Sequence, residues 1–263
     1  GYILFVPNLK VITTIPKLRL YPAIEKRLHL MSVVKINPSK IIIKIPSIVH
    51  LIYLPWEREN GTLNPDENDF NQAFYNSFQK ENPKWLVLMW TQSTLKNFTM
   101  EYYPKYYDIW ERVKHPTQVV DFYRLLVTYH FGGIYWQYGS IQKVPLRSFF
   151  PPVGKSARFF VERVLTKELN KKLKADVNSI QHIRNGKPEE PIRVANQCFC
   201  VYPRDDFLKF CIKKYWRNLH TYEVKNQYDI LYIGANAMIS EAYDEYPRKN
   251  EFVLDFNMKR YIK

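Results

Sequence analysis

The chain has 263 residues, with 39 lysines and arginines against 25 aspartates and glutamates, a formal charge of +14. Apolar residues make up 46% and aromatics 16%, which excludes a disordered or low-complexity protein, because so much hydrophobic surface drives collapse. Eight glycines against 17 prolines exclude collagen-like and glycine-rich solenoid folds, and the positive charge favours polyanionic partners without naming one.

Residues 1–44 read as a basic extension with an amphipathic helix over Tyr21–Val34 and a strand-like run at Ile41–Ile43. From Ile45 to Trp56 the chain becomes almost continuously apolar, the pattern of a strand covered on both faces. A polar loop over 57–69, a helix near Phe70–Gln79 and a second apolar strand at Trp85–Trp90 follow. Strand, helix, strand at this spacing predicts a βαβ unit and an α/β sheet. Domain organisation is then an extension, 1–44, and one domain, 45–263.

Pro116 suits a helix start and Gly132-Gly133 its end, predicting a helix of about 14 residues. On it Val119, Phe122, Leu126 and Tyr129 form an apolar face, while Asp121, Arg124 and Thr128 form a polar stripe. Spacing alone makes Asp121 and Arg124 a surface ion pair. A short β-prone run, Ile134–Gly139, comes next. Further along, Asp205-Asp206 after Pro203 reads as a helix N-terminus, where acids meet the positive end of the dipole. His50, inside an apolar strand, reads as a core histidine rather than a base.

Three cysteines, Cys198, Cys200 and Cys211, are too crowded for a disulfide framework and lack metal-site spacing, so buried thiols are expected. No apolar run approaches the ~20 residues of a membrane span, which favours a cytoplasmic chain, while a first residue other than Met is compatible with an upstream anchor. Sequons at Asn60 and Asn97 matter only in a secretory compartment.

Asp121-x-x-Arg124 followed by Gly132-Gly133-Ile134-Tyr135 resembles the sugar-binding region of glycosyltransferase family 32, which is related to the large clostridial glucosylating toxins. Ile45–Tyr53 is similar to that family's opening strand, Asn82–Trp85 with Trp90 to its second strand, and Asn196 to an asparagine after its sugar site. Ile233-Gly234-Ala235 weakly matches a late Gly-Pro turn. The resemblance implies a GT-A fold, an α/β nucleotide-binding sheet, and sugar transfer from a UDP- or GDP-sugar to a glycan or protein acceptor with retention of configuration. It makes Asp121 and Arg124 the catalytic pair. It also places Leu51, Ile52, Tyr53, Asp121, Arg124, Gly133, Tyr135, Gln137 and Asn196 around the donor, with Tyr53 as the base platform, main chain at Leu51 and Ile52 on the base edge, and Tyr135 against the ribose.

Where the family carries an Asp-x-Asp pair, this chain has Gln137 and Gly139. Mg²⁺ and Mn²⁺ prefer anionic oxygen ligands, so no metal and no cofactor are expected. Cations must then stabilise the departing diphosphate, and Lys143, Arg147, Lys155, Arg158, Lys259, Arg260 and Lys263 are the candidates. The same loss leaves an alternative: an inactive GT-A pseudoenzyme that binds nucleotide, glycan or protein. No nucleic-acid motif accompanies the charge, so no nucleic-acid partner is expected.

Overall fold

The computed structural model describes residues 45–54, 72–113, 115–164, 192–225 and 227–263. The basic extension with its expected helix and strand, and the loop over 57–69, lie outside the described residues.

Strand β1 (Ile48–Ile52) leads through helix α1 (Gln72–Glu81) to β2 (Leu86–Trp90), followed by α2 (Gln92–Tyr102) and the short α3 (Ile109–Arg112). Helix α4 (Pro116–Phe131) then feeds β3 (Gly133–Trp136). The second half contributes β4 (Ala157–Val164), β5 (Ile192–Val194), β6 (Cys198–Val201) and α5 (Asp206–Thr221). It ends with α6 (Gln227–Ile233), α7 (Asn236–Glu245), β7 (Phe252–Asp255) and α8 (Met258–Tyr261). The predicted βαβ unit is therefore present. The run after the glycine pair stops being a strand at Trp136 because residues 137–140 close a turn, Ser140 N–H donating to the Gln137 carbonyl at 3.1 Å.

Strands β2, β1, β3, β6, β4 and β5 lie in that order, with β7 beside β4. Strands β1, β2 and β3 are mutually parallel, β6 runs antiparallel between β3 and β4, and β7 is parallel to β4. Five strands thus share one direction, and only β5 and β6 oppose it. This mixed, mostly parallel sheet flanked by helices is the α/β architecture that the strand–helix–strand spacing predicted.

Alternation along each strand divides the core into two layers. Ile48, Ile52, Tyr135, Phe159, Phe199 and Val201 pack with Phe122, Leu126, Phe207, Tyr215 and Met238 on the face covered by α4, α5 and α7. Val49, Leu51, Ile134, Trp136, Phe160, Cys198 and Cys200 pack on the other face with Phe78, Phe149 and Tyr261. Both faces are buried, which explains the uninterrupted apolar strands. All three cysteines are buried free thiols, as composition implied. The sequon at Asn97 falls within α2, where Thr99 is fully buried and its hydroxyl lies 2.6 Å from that of Tyr123. No helix among the described residues is long and apolar enough to cross a membrane.

Topology positions the site. From β1 the chain crosses to β2 on one side, while β3 takes the other, so the strand order reverses between β1 and β3. Such a switch point opens a crevice at the carboxyl ends of the strands.

Candidate functional site

Helix α4 descends from the carboxyl edge of the sheet and turns into β3. It starts on Pro116, whose missing N–H costs nothing at a first helical position, and ends at Gly132, with φ of 68° and its N–H on the Thr128 carbonyl. The helix is buried nearly all round, because α5 packs on one side and the sheet on another. Its polar stripe is therefore buried too, and the surface pair implied by spacing is an interior one. Asp121 is 1% exposed and Arg124 5%.

The guanidinium Nη2 of Arg124 lies 2.8 Å from Asp121 Oδ1. Asn196 joins them from the break between β5 and β6. Its amide donates to Asp121 Oδ1 at 3.0 Å, and its carbonyl accepts from Arg124 Nη1. At that break the chain leaves the ladder with β4 after Ala195, whose N–H still donates to the Phe160 carbonyl, and rejoins it in β6. Tyr135 lies below, with Arg124 4.8 Å over its ring and Phe199 stacked beside it. At 1% exposure its ring supports the guanidinium, and the expected ribose contact is not where the structure places it.

Two atoms of this cluster stand out. Asp121 Oδ2 and Arg124 Nε are buried with no hydrogen-bond partner among the described residues. A third, Gln118 Nε2, lies one turn earlier on the same stripe. Buried polar atoms are nearly always paired, and leaving one unpaired costs about 1–3 kcal/mol. Burial pushes the Asp121 carboxyl up to about 6, and the Arg124 charge only partly offsets it. Gln118 was missed in the sequence. Its position three residues before Asp121 was the available signal, but an amide carries no charge to draw attention.

The glycine pair serves packing. A Cβ on Gly133, whose φ is +99°, would fall 2.5 Å from the Ile48 carbonyl oxygen, and one on Gly132 would fall 2.6 Å from Pro203. Gly133 begins β3, at the end of the strand opposite the crevice, so it lies beside β1 and not with the donor-binding residues among which it was expected. His50 is a core histidine, as expected. Trp90 Nε1 donates to its Nδ1 at 3.1 Å, leaving Nε2–H to donate to the Gly132 carbonyl at 2.9 Å. Burial holds it neutral, with its pKa lowered to about 4.

At the carboxyl end of β1, Leu51 and Ile52 are buried and ladder with Met89 and Trp90 of β2, whereas pairing with β3 stops at His50. Tyr53 follows, half-buried, its ring 5.2 Å from Tyr138, which in turn meets Phe74 at 4.8 Å. Tyr138 sits between the two positions where the family has aspartates. This aromatic lip is a feature that motif reading overlooked.

Gln137 is exposed, and its backbone N–H is held by the Gln197 carbonyl. Gly139 has φ of +84° with open space where a Cβ would stand. A neutral amide and a glycine do not supply the anionic oxygens a hard divalent cation needs. Among the described residues, no three His, Cys, Asp or Glu side chains come together to hold a metal. The residues present do not fit the family's ion.

Four of the expected cations separate into two sets. Arg158 is committed to Asp255 at 2.6 Å and to the Phe150 carbonyl, and Lys155 bonds the Asn250 carbonyl just before β4, away from the crevice. Residues 141–143 and 261–263 pair as an antiparallel bridge, which sets exposed Lys263 and Lys143 after the 137–140 turn, with Lys143 Nζ donating to the Lys259 carbonyl at 2.9 Å. Asp205 caps α5, accepting from Leu208 N–H and the Ser156 hydroxyl, each at 2.8 Å, as the helix-terminus reading required.

A dry carboxylate and guanidinium beside a switch-point crevice suit a polyhydroxylated, phosphate-bearing ligand. The family described as "Glycosyltransferase sugar-binding region containing DXD motif" matches residues 68–149, from just before α1 to beyond the turn after β3. The chain is 23% identical over 205 residues to inositol phosphoceramide mannosyltransferase 1 of Schizosaccharomyces pombe, covering 74% of this chain and half the length of that curated relative. It is also similar to a solved structure, "PaToxG Glycosyltransferase", with a TM-score of 0.47 and 16% identity over 77% of this chain and 70% of that one. Within the matched stretch lie Asp121, Arg124 and the glycine pair, and Gln137 and Gly139 stand where that family's DXD aspartates are expected.

Proposed function

We propose that the chain transfers a hexose or related sugar from a UDP- or GDP-sugar to a glycan or protein acceptor, with retention of configuration and without a divalent metal. The observation that carries this reading is the row of three buried polar atoms, Gln118 Nε2, Asp121 Oδ2 and Arg124 Nε, each lacking a partner among the described residues. Sugar hydroxyls both donate and accept, so one pyranose can satisfy an amide, a carboxylate and a guanidinium together. Tyr53 and Tyr138, with ring centroids 5.2 Å apart after the carboxyl end of β1, would take the base.

In the reaction the acceptor oxygen forms a bond to the anomeric carbon as the bond from that carbon to the diphosphate oxygen breaks. The leaving nucleoside diphosphate takes the electron pair, and the acceptor proton passes to its β-phosphate. Exposed Lys263, and Lys143 on release of its bond to the Lys259 carbonyl, would stabilise the developing charge. Retention rests on the family likeness, and metal independence on the donor set at 137–139.

The test is turnover of UDP-glucose, UDP-galactose, UDP-N-acetylglucosamine and GDP-mannose in excess chelator. Sustained hydrolysis or transfer of one of them is expected, and complete loss on chelation would reject metal independence. Calorimetric binding of a donor with no turnover would establish the pseudoenzyme reading, which the missing aspartates favour.

A further inference from the structure

A cavity lies on the same edge of the sheet, with a volume of about 300 Å³, lined by Val161, Glu162 and residues 256–260. Its position follows from the ladder. Phe160 of β4 accepts from Ala195 N–H on one side and is in register with Asp255 of β7 on the other. Asn196, which holds Asp121 and Arg124, follows Ala195, and the cavity wall begins at Phe256. Two strand spacings, about 10 Å, therefore separate the polar cluster from the cavity.

Its lining is chemically specific. Phe256 is 60% exposed, among the most exposed large apolar side chains in the described structure. Glu162 has only 14% of its side chain exposed, and Asn236 Nδ2 and Arg163 hold its two carboxylate oxygens. Lys259 and Arg260 are exposed, and neither side chain meets an acid among the described residues. An open aromatic face, a fixed carboxylate and free cations together suit a sugar ring, whose C–H face is apolar and whose rim carries hydroxyls.

We propose that this cavity is the acceptor subsite and takes a sugar or cyclic-polyol ring, stacked on Phe256 with hydroxyls toward Glu162 and the cationic rim. The assignment rests on the function proposed above, since a ring held here is one sugar's width from a donor gripped by Asp121 and Arg124. Lys259 and Arg260 then serve the acceptor, and the diphosphate falls to Lys143 and Lys263.

Binding of methyl α-D-mannopyranoside, methyl α-D-glucopyranoside and myo-inositol to the full chain, followed by saturation-transfer NMR, tests the proposal. At least one probe is expected to show saturated ring protons, with affinity about tenfold weaker in Phe256→Ala. Val153→Ala, which trims another exposed apolar side chain, serves as the control and binds as the parent does. Glu162→Gln, which keeps shape and removes charge, is expected to weaken the same probe. Absence of binding by all three probes, or equal binding to the parent and both cavity variants, overturns the proposal. Nucleotide-sugar turnover is measured on the same preparations: its absence defeats the proposed function whatever the probes do, so the two failures are told apart.

Discussion

Replacing Asp121 by Asn should lower activity and raise stability together. The folded carboxyl keeps its proton up to about 6, against an ordinary value of 3.8. That difference corresponds to a penalty of about 3 kcal/mol on the ionised form in the folded protein. Between these two pH values the folded chain binds more protons than the unfolded one, so this group's contribution to stability falls as pH rises from about 4 to 6 and stays low above. An asparagine never ionises. It can still accept from Asn196, while Arg124 keeps the Asn196 carbonyl and the Tyr135 ring. At pH 7 the variant should be more stable by up to about 3 kcal/mol, or roughly 5–10 °C in melting temperature. Losing a charge-assisted contact to sugar hydroxyls should cost about 2 kcal/mol of transition-state stabilisation, roughly thirtyfold in kcat/KM. Urea unfolding at pH 4.5 and 7.5, beside turnover of the preferred nucleotide sugar, measures both. A variant destabilised by the ~3–5 kcal/mol typical of a broken buried ion pair would refute the reasoning, because the pair would then outweigh its own desolvation.

The pH profile follows from the same group: kcat/KM should rise through about pH 6 as Asp121 ionises, and this limb should vanish in Asp121→Asn. His50 and His130, lowered to about 4 and about 3 by burial, lie too low to produce it. Gly133→Ala should cost more than about 3 kcal/mol in urea unfolding, since its Cβ meets the Ile48 backbone at 2.5 Å in a left-handed conformation. Gly139→Ala should cost only about 1 kcal/mol, because strain acts there without a clash. Equal costs at the two glycines would contradict the packing assigned to Gly133. Lys263→Ala and Lys143→Ala should each lower kcat more than they raise the donor KM, as expected of groups that meet charge developing in the transition state; unchanged kcat in both would remove them from the diphosphate site.

Much of this protein was legible locally. The apolar runs read as strands, Ile45–Trp56 and Trp85–Trp90, hold β1 at Ile48–Ile52 and β2 at Leu86–Trp90, and Pro116 with Gly132 bracketed a helix to within two residues. Asp205 as a cap and the buried thiols followed from residue chemistry and spacing. The Asp121-x-x-Arg124 spacing identified the pair, because 3.6 residues per turn put both on one side of a helix.

Spacing could not tell that this side is interior. A helix's polar stripe looks the same in sequence whether it faces water or a cavity, and only the packing of α4 between α5 and the sheet made it a dry site. Nor could local pattern bring Asn196 to Asp121, 75 residues away, or lay residues 261–263 along 141–143. The sequence by itself therefore determined the elements, the Asp121-x-x-Arg124 pair with its glycine-terminated helix, and the neutral Gln137 and Gly139 that follow. Tertiary structure decided which polar atoms are buried without partners among the described residues, that Tyr135 supports an arginine and Gly133 a strand contact, and which cations lie beside the 137–140 turn. These depend on contacts between distant segments, which periodicity along the chain does not encode.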